Sequence, residues 1–320
     1  MIALITHGDL DGLTAGAIAM NVLLKRDRVL ALIAQPYILH KVLEKVSSYC
    51  IRELYVIDIS VDPGTWSRSS YFLSSIGKSA NIYWIDHHRT SVENIFSLLK
   101  LNMKPIVSLE YCSSRIVAKL FLNETDDVNF FQKLAVIGEV GDKVKKVRSE
   151  SRIAKLVEEI GSAIAAMPSD NDFKIKVMRM WAIKKILLND EMRERAKLAR
   201  EKLDSFLKKA NERKMFEDEK CLVIDFRELN VKGYVGKIAS EIAETTGKLV
   251  LIIFNPNKSE TVFTFRVPLT VNYDVTHIVS SISRKYGGSG GGHKRAASFR
   301  VPQMLAESAL KEVMNRLMGV

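Results

Sequence analysis

Disulfides cannot hold this chain together. It has three cysteines in 320 residues, Cys50, Cys112 and Cys221. An odd and sparse set of this kind excludes a disulfide framework and points to a reducing, cytoplasmic setting. Nor is there any stretch approaching the ~20 apolar residues that a membrane span needs. The opening MIALITHGDLDG has an apolar run too short for a signal peptide, with acidic residues directly behind it. Glutamine is scarce, with three in the whole chain, a scarcity that thermostable proteins share. Repeats are absent, and the only low-complexity stretch is Gly-Gly-Ser-Gly-Gly-Gly at 287–292. What the chain does have is apolar content, 47% of it, which excludes wholesale disorder. It also has an excess of positive charge. Forty-eight Lys and Arg oppose thirty-seven Asp and Glu, a net +11 and a pI near 9.4. A protein this basic is expected to meet an anionic partner.

The length predicts about two domains at ~150 residues each. Ile2 to Thr6, Val29 to Ala34, Leu54 to Ile59 and Asn81 to Ile85 read as short buried strands, with helices at Leu13 to Lys25 and near Tyr37 to Ser48. That alternation predicts parallel βαβ units in a doubly wound α/β sheet. Residues 113 to 188 read as mainly helical. A long amphipathic helix is expected at about 189 to 215, with an apolar stripe through Leu188, Met192, Ala199, Leu203, Phe206 and Ala210. Residues 174 to 214 carry fourteen Lys and Arg against six Asp and Glu, a net +8. The ordinary reading is a solvated helix with internal pairs such as Glu191–Arg195 and Asp204–Lys208. The functional reading is one wall of a basic groove. A second αβ segment follows, with strands at Cys221 to Phe226, Leu249 to Phe254, Thr261 to Val267 and Ala296 to Val301. Its helices are Tyr234 to Thr245, Val275 to Tyr286 and Met304 to Met318. The glycine run reads as a loop between a helix and a strand. The expected division is 1–188, a linker helix at 189–216, and a smaller α/β domain at 217–320.

The residues that promise chemistry are His7, Asp9 and Asp11, then Asp58, then Asp86-His87-His88, then Asp142. His7, Asp9 and Asp11 alternate, and in extended backbone alternate side chains share a face. Three ionisable groups of residues thus follow three predicted strands, at the edge where open parallel sheets bind ligands. Taken singly, such Asp are turn formers and N-caps. Taken together, a buried Ile-Asp-His-His after an apolar strand is costly without a partner. Four Asp and one or two His, without Cys, are hard oxygen ligands plus imidazole, a set that suits Mn²⁺. The set exceeds one ion's needs. Two ions ~3.5–4 Å apart, bridged by a carboxylate, would use it and would serve in-line attack at phosphorus.

These residues resemble a known family. His7-Gly-Asp9-Leu-Asp11-Gly12-Leu-Thr14, Asp58 at a strand end, Asp86-His87-His88 and Gly141-Asp142 are similar to the four motifs of the DHH phosphoesterases. Gly290-Gly291-Gly292-His293 followed by Ala296-Ala297 resembles the signature of the DHH-associated C-terminal domain. The likeness is greatest to the RecJ and NanoRNase (NrnA) branch. The His-x-Asp-x-Asp spacing argues against the manganese pyrophosphatases of the same superfamily, whose first motif is wider. The resemblance implies that His7 and Asp9 hold one metal, Asp11, His87 and Asp142 the other, and that Asp58 bridges them. It implies two Mn²⁺ per chain, with Mg²⁺ or Co²⁺ as substitutes. Asp86 would orient an imidazole, and His88 would serve the scissile phosphate. Gly290, Gly291 and Gly292 would let backbone approach the substrate. His293 and Arg266 would grip a phosphate. Ser298 stands where the family often has Gly, and Lys294 and Arg295 add charge beside that site.

The expected function is a metal-dependent phosphodiesterase that trims short oligonucleotides or single-stranded ends to mononucleotides. Its substrate would thread between the two domains, with the long helix as hinge. With no further nucleic-acid domain expected after residue 320, short substrates or help from a replication or repair partner are favoured. One alternative is a cyclic-dinucleotide phosphodiesterase or 3′,5′-bisphosphonucleoside phosphatase. Another is a non-catalytic replication scaffold resembling the Cdc45 branch, which the presence of every candidate ligand disfavours. His40 and His277 match no motif, and Trp66, Trp84 and Trp181 read as packing.

Overall fold

The computed structural model describes residues 1–318 and divides into two compact units, Met1–Lys197 and Leu198–Val320. In the first unit, β1 (Ile2–Thr6), α1 (Leu10–Arg26), β2 (Val29–Ile33), α2 (Leu39–Ser47), β3 (Glu53–Ile57), α3 (Trp66–Ile76) and β4 (Asn81–Asp86) come first. They are followed by α4 (Arg89–Glu93), α5 (Ile95–Lys100), β5 (Lys104–Val107), α6 (Ser113–Phe121), α7 (Val128–Gly141), α8 (Arg152–Ala165) and α9 (Asn171–Arg179). All pairings in its five-stranded sheet are parallel, in the order β2-β1-β3-β4-β5. The order reverses between β1 and β3, which makes their carboxyl ends the topological switch point.

The sheet is buried on both faces, so its strands are continuous apolar runs, and alternate side chains serve opposite cores. On β1, Ile2 and Leu4 join one cluster while Ala3 and Ile5 join the other. On β3, Tyr55 and Ile57 part in the same way from Leu54 and Val56. The first core is filled by α1, α6, α7 and α9. Fourteen of the seventeen residues of α1 are buried, so its Gly-Ala-rich sequence reflects neighbours on every side. The second core lies under α2 and α3, where Trp66 meets the buried Trp84 edge-on, ring centroids 6.0 Å apart. Trp181 is also fully buried.

The long helix expected at 189–215 is α10 (Asp190–Glu212), and the division between the two units falls inside it. The second unit continues with β6 (Lys214–Glu217), β7 (Cys221–Asp225), α11 (Val235–Thr246), β8 (Leu249–Phe254), β9 (Glu260–Arg266), α12 (Thr276–Lys285), β10 (Ser289–His293), β11 (Ala296–Pro302) and α13 (Ala306–Met318). Its sheet runs β10-β11-β9-β8-β7-β6. Only β7 and β8 are parallel, as the α11 crossover between them requires. Phe263 and Phe299 are direct cross-strand partners and stack at 4.6 Å.

One expectation is corrected. The glycine run does not remain a loop, because Ser289–His293 pairs with β11 as an edge strand. Gly292 has φ +139, and a Cβ there would lie 2.4 Å from the Ala296 carbonyl oxygen, so only glycine fits. Among the described residues no helix is long and apolar enough to cross a membrane, and the three cysteines are free.

Ile18 sits at 0% exposure in the centre of α1. Ile18→Ala is expected to cost about 2–5 kcal/mol by loss of transfer energy and creation of a cavity. Urea denaturation should show this as a lower midpoint at an unchanged slope.

Candidate metal centre

Each acidic or imidazole group reaches the carboxyl edge of the first sheet by a separate local device. The chain leaves β1 at His7, whose backbone N–H donates to the Ile57 carbonyl at 3.2 Å. Asp9 is the N-cap of α1, its Oδ1 accepting from the Gly12 N–H at 3.0 Å. Asp11 already lies in the first turn of α1. The extended alternation expected for His7, Asp9 and Asp11 is therefore corrected. A helix starts between them and sends Asp11 inward, 2% exposed, while Asp9 stays largely exposed. Gly12 makes this turn feasible, because a Cβ there would sit 2.6 Å from the His7 carbonyl oxygen and 3.0 Å from Asp58 Oδ2.

Asp58 follows β3 in a left-handed conformation, φ +62, which short polar Asp tolerates better than most residues. Its backbone N–H donates to the Ile85 carbonyl at 2.8 Å, and Ser113 Oγ donates to its Oδ1 at 2.8 Å. Asp86 ends β4, fully buried, and accepts from His88 Nδ1 through Oδ1 at 2.8 Å. Asp142 caps the C-terminal end of α7.

The set converges. His7 Nδ1 lies 2.9 Å from Asp9 Oδ2 and 3.7 Å from Asp58 Oδ2. His87 Nε2 lies 3.4 Å from Asp58 Oδ1, 3.8 Å from Asp142 Oδ2 and 3.9 Å from Asp11 Oδ2. Potential ligand atoms fall within 4.8 Å of one another in three groups: His7-Asp9-Asp58, Asp58-His87-His88 and Asp11-Cys112-Asp142. Asp58 is common to two of them.

Crowding of carboxylates shapes the electrostatics. Burial, then the charges of Asp9, Asp11 and Asp86, pushes Asp58 well above the usual carboxylate range. Asp11 is raised by burial, against the pull of Ser114. Asp142 is pushed up to about 6 by burial and by Asp11. Asp9 is the exception. Crowding by the surrounding protein works upward on it too, but His7 outweighs that and holds it low. On His7, burial works downward and Asp9 outweighs it, leaving the imidazole raised. His88 is likewise raised, burial losing to its bond with Asp86.

Does a divalent cation fit? His7 Nε2 donates to Gln35 Oε1 at 2.8 Å. In neutral His7 this leaves the Nδ1 lone pair facing two carboxylates, with no aligned hydrogen-bond donor. Three lone pairs aimed at one point require a proton or a cation between them. The donor set of carboxylate oxygen and imidazole suits Mn²⁺ or a similar ion. The surroundings also have the character of supporting groups around metal ligands. Both Asp11 oxygens accept backbone N–H groups, from Ser113 at 2.8 Å and Ser114 at 3.0 Å, at the N-terminus of α6.

Sequence reasoning missed several neighbours. Cys112 lies in one of the three groups, its thiol pushed up to about 12 by burial and by Asp11. Gln35, Ser113 and Ser114 hold ligands through the hydrogen bonds above. Lys174 on α9 is 4% exposed and donates to the Pro168 carbonyl at 2.7 Å. Its ammonium lies 2.8 Å from where a Cβ on Gly8 would stand, against the segment that carries His7 and Asp9. Burial holds it below the usual lysine range. Only contacts between distant elements create these neighbours, and the sole local signal was the Ser113-Ser114 helix start.

The remaining candidates lie in the second unit. Arg266 ends β9 opposite Ala296, and Ala296 stands opposite His293. The three form one row across β9, β11 and β10, and residues directly opposite share a face of the sheet. The Arg266 guanidinium is half-buried, donating to the Phe265 carbonyl at 2.8 Å and Ser240 Oγ at 3.2 Å. Among the described residues no carboxylate pairs with it, and burial lowers its pKa. Gly290, Gly291 and Gly292 lie on β10, where a Cβ on Gly291 alone would meet open space. The row has the makings of an anion seat.

Without metal, the first-unit site opposes its own ionisation. A carboxyl raised to about 6 when folded, against ~3.9 when unfolded, stabilises the protein while protonated and withdraws that stability as pH climbs toward 6. Raised His7 and His88 act in the same direction, losing their contribution as pH climbs through their folded pKa values. The melting temperature of EDTA-treated protein is therefore expected to fall from pH 5 to pH 8. Saturating Mn²⁺ should restore roughly 5 °C or more at pH 7.5 and much less at pH 5. Asp142→Asn should flatten the first trend. Scanning calorimetry with and without Mn²⁺ checks both, and pH-independent melting would show that the carboxylates are not coupled.

The DHHA1 domain family model matches residues 219–319. No curated protein matches the sequence. Among solved structures, RecJ in complex with Mn²⁺ from Thermus thermophilus is 15% identical with a TM-score of 0.71, over 100% of this chain and 52% of that one. The chain thus spans about half the length of that RecJ. A DHH domain described as a member of the s1p family of ribosomal proteins is 16% identical with a TM-score of 0.75, over 99% and 86% of the two chains. The pGpG-specific phosphodiesterase PggH from Vibrio cholerae is 14% identical with a TM-score of 0.60, over 100% and 99%. At these identities the likeness is one of fold, and the fold is shared along the whole chain. The chain thus carries a DHHA1 domain at residues 219–319, within a fold that it shares over its whole length with RecJ and PggH.

Proposed function

We propose that this protein is a metal-dependent phosphodiesterase that hydrolyses short oligonucleotides or single-stranded nucleic-acid ends to mononucleotides. The observation that carries the reading is the convergence of His7, Asp9, Asp11, Asp58, His87 and Asp142 at the switch point of the first sheet. His7, Asp9 and Asp58 would hold one divalent ion. Asp11, His87 and Asp142 would hold a second, with Asp58 between the two. Bound there, a pair of Mn²⁺ ions, or Mg²⁺ or Co²⁺ in their place, supplies Lewis acidity and an activated water for attack at phosphorus.

The chain's own groups do the rest. Ser113 Oγ and the α6 N-terminus fix the Asp58 and Asp11 carboxylates, so the ligands are ordered before an ion arrives. Asp86 accepts from His88 Nδ1 and so sets the ring, leaving Nε2 to donate to a phosphate oxygen or to the departing oxygen. His88 is 43% exposed, within reach of a substrate. Arg266 and His293 of the DHHA1 domain would hold another phosphate.

A second reading keeps the same centre and shortens the substrate to a dinucleotide or a 3′,5′-bisphosphonucleoside. It is favoured by the near-complete mutual coverage with a pGpG-specific phosphodiesterase. A non-catalytic scaffold, the third expectation, is disfavoured by the intact set of carboxylates and imidazoles.

Incubation with Mn²⁺ and end-labelled oligonucleotides from about two to about twenty nucleotides, with pGpG, a cyclic dinucleotide and a 3′,5′-bisphosphonucleoside alongside, tests all three readings. Mononucleotide release from the oligonucleotides is expected. Asp58→Asn, which keeps the left-handed turn accessible, should abolish it. His88→Ala should lower kcat by roughly 10²–10⁴-fold with KM little changed. Equal inertness of wild type and Asp58→Asn with Mn²⁺, Mg²⁺ and Co²⁺ would overturn the enzymatic reading.

A further inference from the structure

The segment after Asp142 reads Lys143-Val144-Lys145-Lys146-Val147-Arg148, four cations in six residues with no acid among them. All four are exposed. The segment is pinned at both ends. Lys143 takes a left-handed conformation, φ +64, with its N–H donating to the Val140 carbonyl at 3.1 Å. The Lys145 N–H donates to the Glu139 carbonyl at 3.1 Å. At the far end the Arg148 carbonyl accepts from Ser151 N–H and Oγ, and Ser151 caps α8.

Folding does not account for this charge. Cations near the C-terminus of α7 gain from the helix dipole, but the gain fades within the last turn. Of the flanking acids, Glu139 is already occupied by both arms of Arg115, at 2.7 and 2.6 Å, and Glu150 accepts from Ser149 Oγ at 2.5 Å. Asp142 faces the imidazole of His87. Among the described residues none of the four side chains has an ion-pair partner. At ~3.6 Å per residue, Lys145 stands within about 11 Å of Asp142 along the chain and Arg148 within about 22 Å. That is a reach of a few phosphates along a strand held at the metal centre.

We propose that the 143–148 loop is a phosphate rail, the surface on which the first unit binds the part of a single-stranded oligonucleotide that continues beyond the scissile bond. The proposal rests on the functional reading above for the identity of the polyanion. It adds that discrimination for length resides in the first unit, beside the metal ligands. The cations are flexible point charges, so the rail reads backbone and not base sequence.

The test is binding without turnover. A fluorescein-labelled single-stranded decamer is titrated by anisotropy in EDTA from about 50 to about 300 mM salt. It is compared between wild type and the triple variant Lys145→Gln, Lys146→Gln, Arg148→Gln, whose melting temperature should match wild type because the side chains are exposed. The variant is expected to bind roughly 10-fold or more weakly. Its plot of log affinity against log salt should be shallower by about 2, since each phosphate contact in a single strand contributes ~0.7. With Mn²⁺, KM for the decamer should rise while turnover of pGpG stays within twofold. An unchanged salt slope, equal losses on decamer and dinucleotide, or tighter binding of poly-glutamate than of the decamer would overturn the rail. A chain that binds the decamer through this loop but cuts nothing refutes the functional reading alone. A chain that cuts while the variant binds like wild type refutes the rail alone.

Discussion

Negative charge gathered where water is scarce is the constraint on which the first unit is built. Asp11, Asp58 and Asp86 are almost fully withdrawn from solvent, and Asp142 is largely so. Asp11, Asp58 and Asp142 resist ionisation because burial and their neighbours work against it. The structure answers with directed donors. The first N–H groups of α6 meet Asp11, the Ser113 hydroxyl meets Asp58, and His88 meets Asp86. These supports are geometric and leave oxygens and imidazole nitrogens still facing one another. Positive charge at the centre of a site so arranged would add stability at neutral pH.

The fold follows from the need to bring those groups to one edge. A parallel sheet delivers every strand's carboxyl end to the same side, and the reversal between β1 and β3 marks the position where such sheets bind ligands. Helix α1 is buried on nearly all sides because it runs from that edge through the main core. Gly12 lets it begin hard against His7 and Asp58. The left-handed turn at Asp58 is a local cost, held in place by its bonds to Ile85 and Ser113. In the second unit the same economy appears with antiparallel pairing, where register alone puts Arg266 and His293 in one row.

Much of this was legible in the primary structure. Apolar runs marked β1, β3 and β4, because a strand buried on both faces must be apolar throughout. The acidic and imidazole residues stood out because they directly followed those runs. The route by which Asp9 and Asp11 arrive was read differently, since an alternating polar segment after a strand looks extended. A helix N-cap at Asp9 uses the same residue types and gives the same spacing a different direction. The glycine run looked like a loop because glycine has low strand propensity. Pairing with β11 overrode that, aided by a backbone angle at Gly292 open to no other residue.

The sequence by itself determined the fold class, the order of its two sheets along the chain and which carboxylates and imidazoles meet at the candidate metal centre. Those properties depend on local pattern, the period of apolar side chains and the residues at strand ends, which the chain carries in linear form. Tertiary structure alone decided that Cys112 and the buried ammonium of Lys174 stand beside the carboxylates, that Gln35 turns His7, and that Ser113 and the start of α6 hold Asp58 and Asp11. These partners are separated in sequence by tens of residues and meet only because helices pack across the sheet, and a packing contact leaves no periodic trace in the chain that makes it.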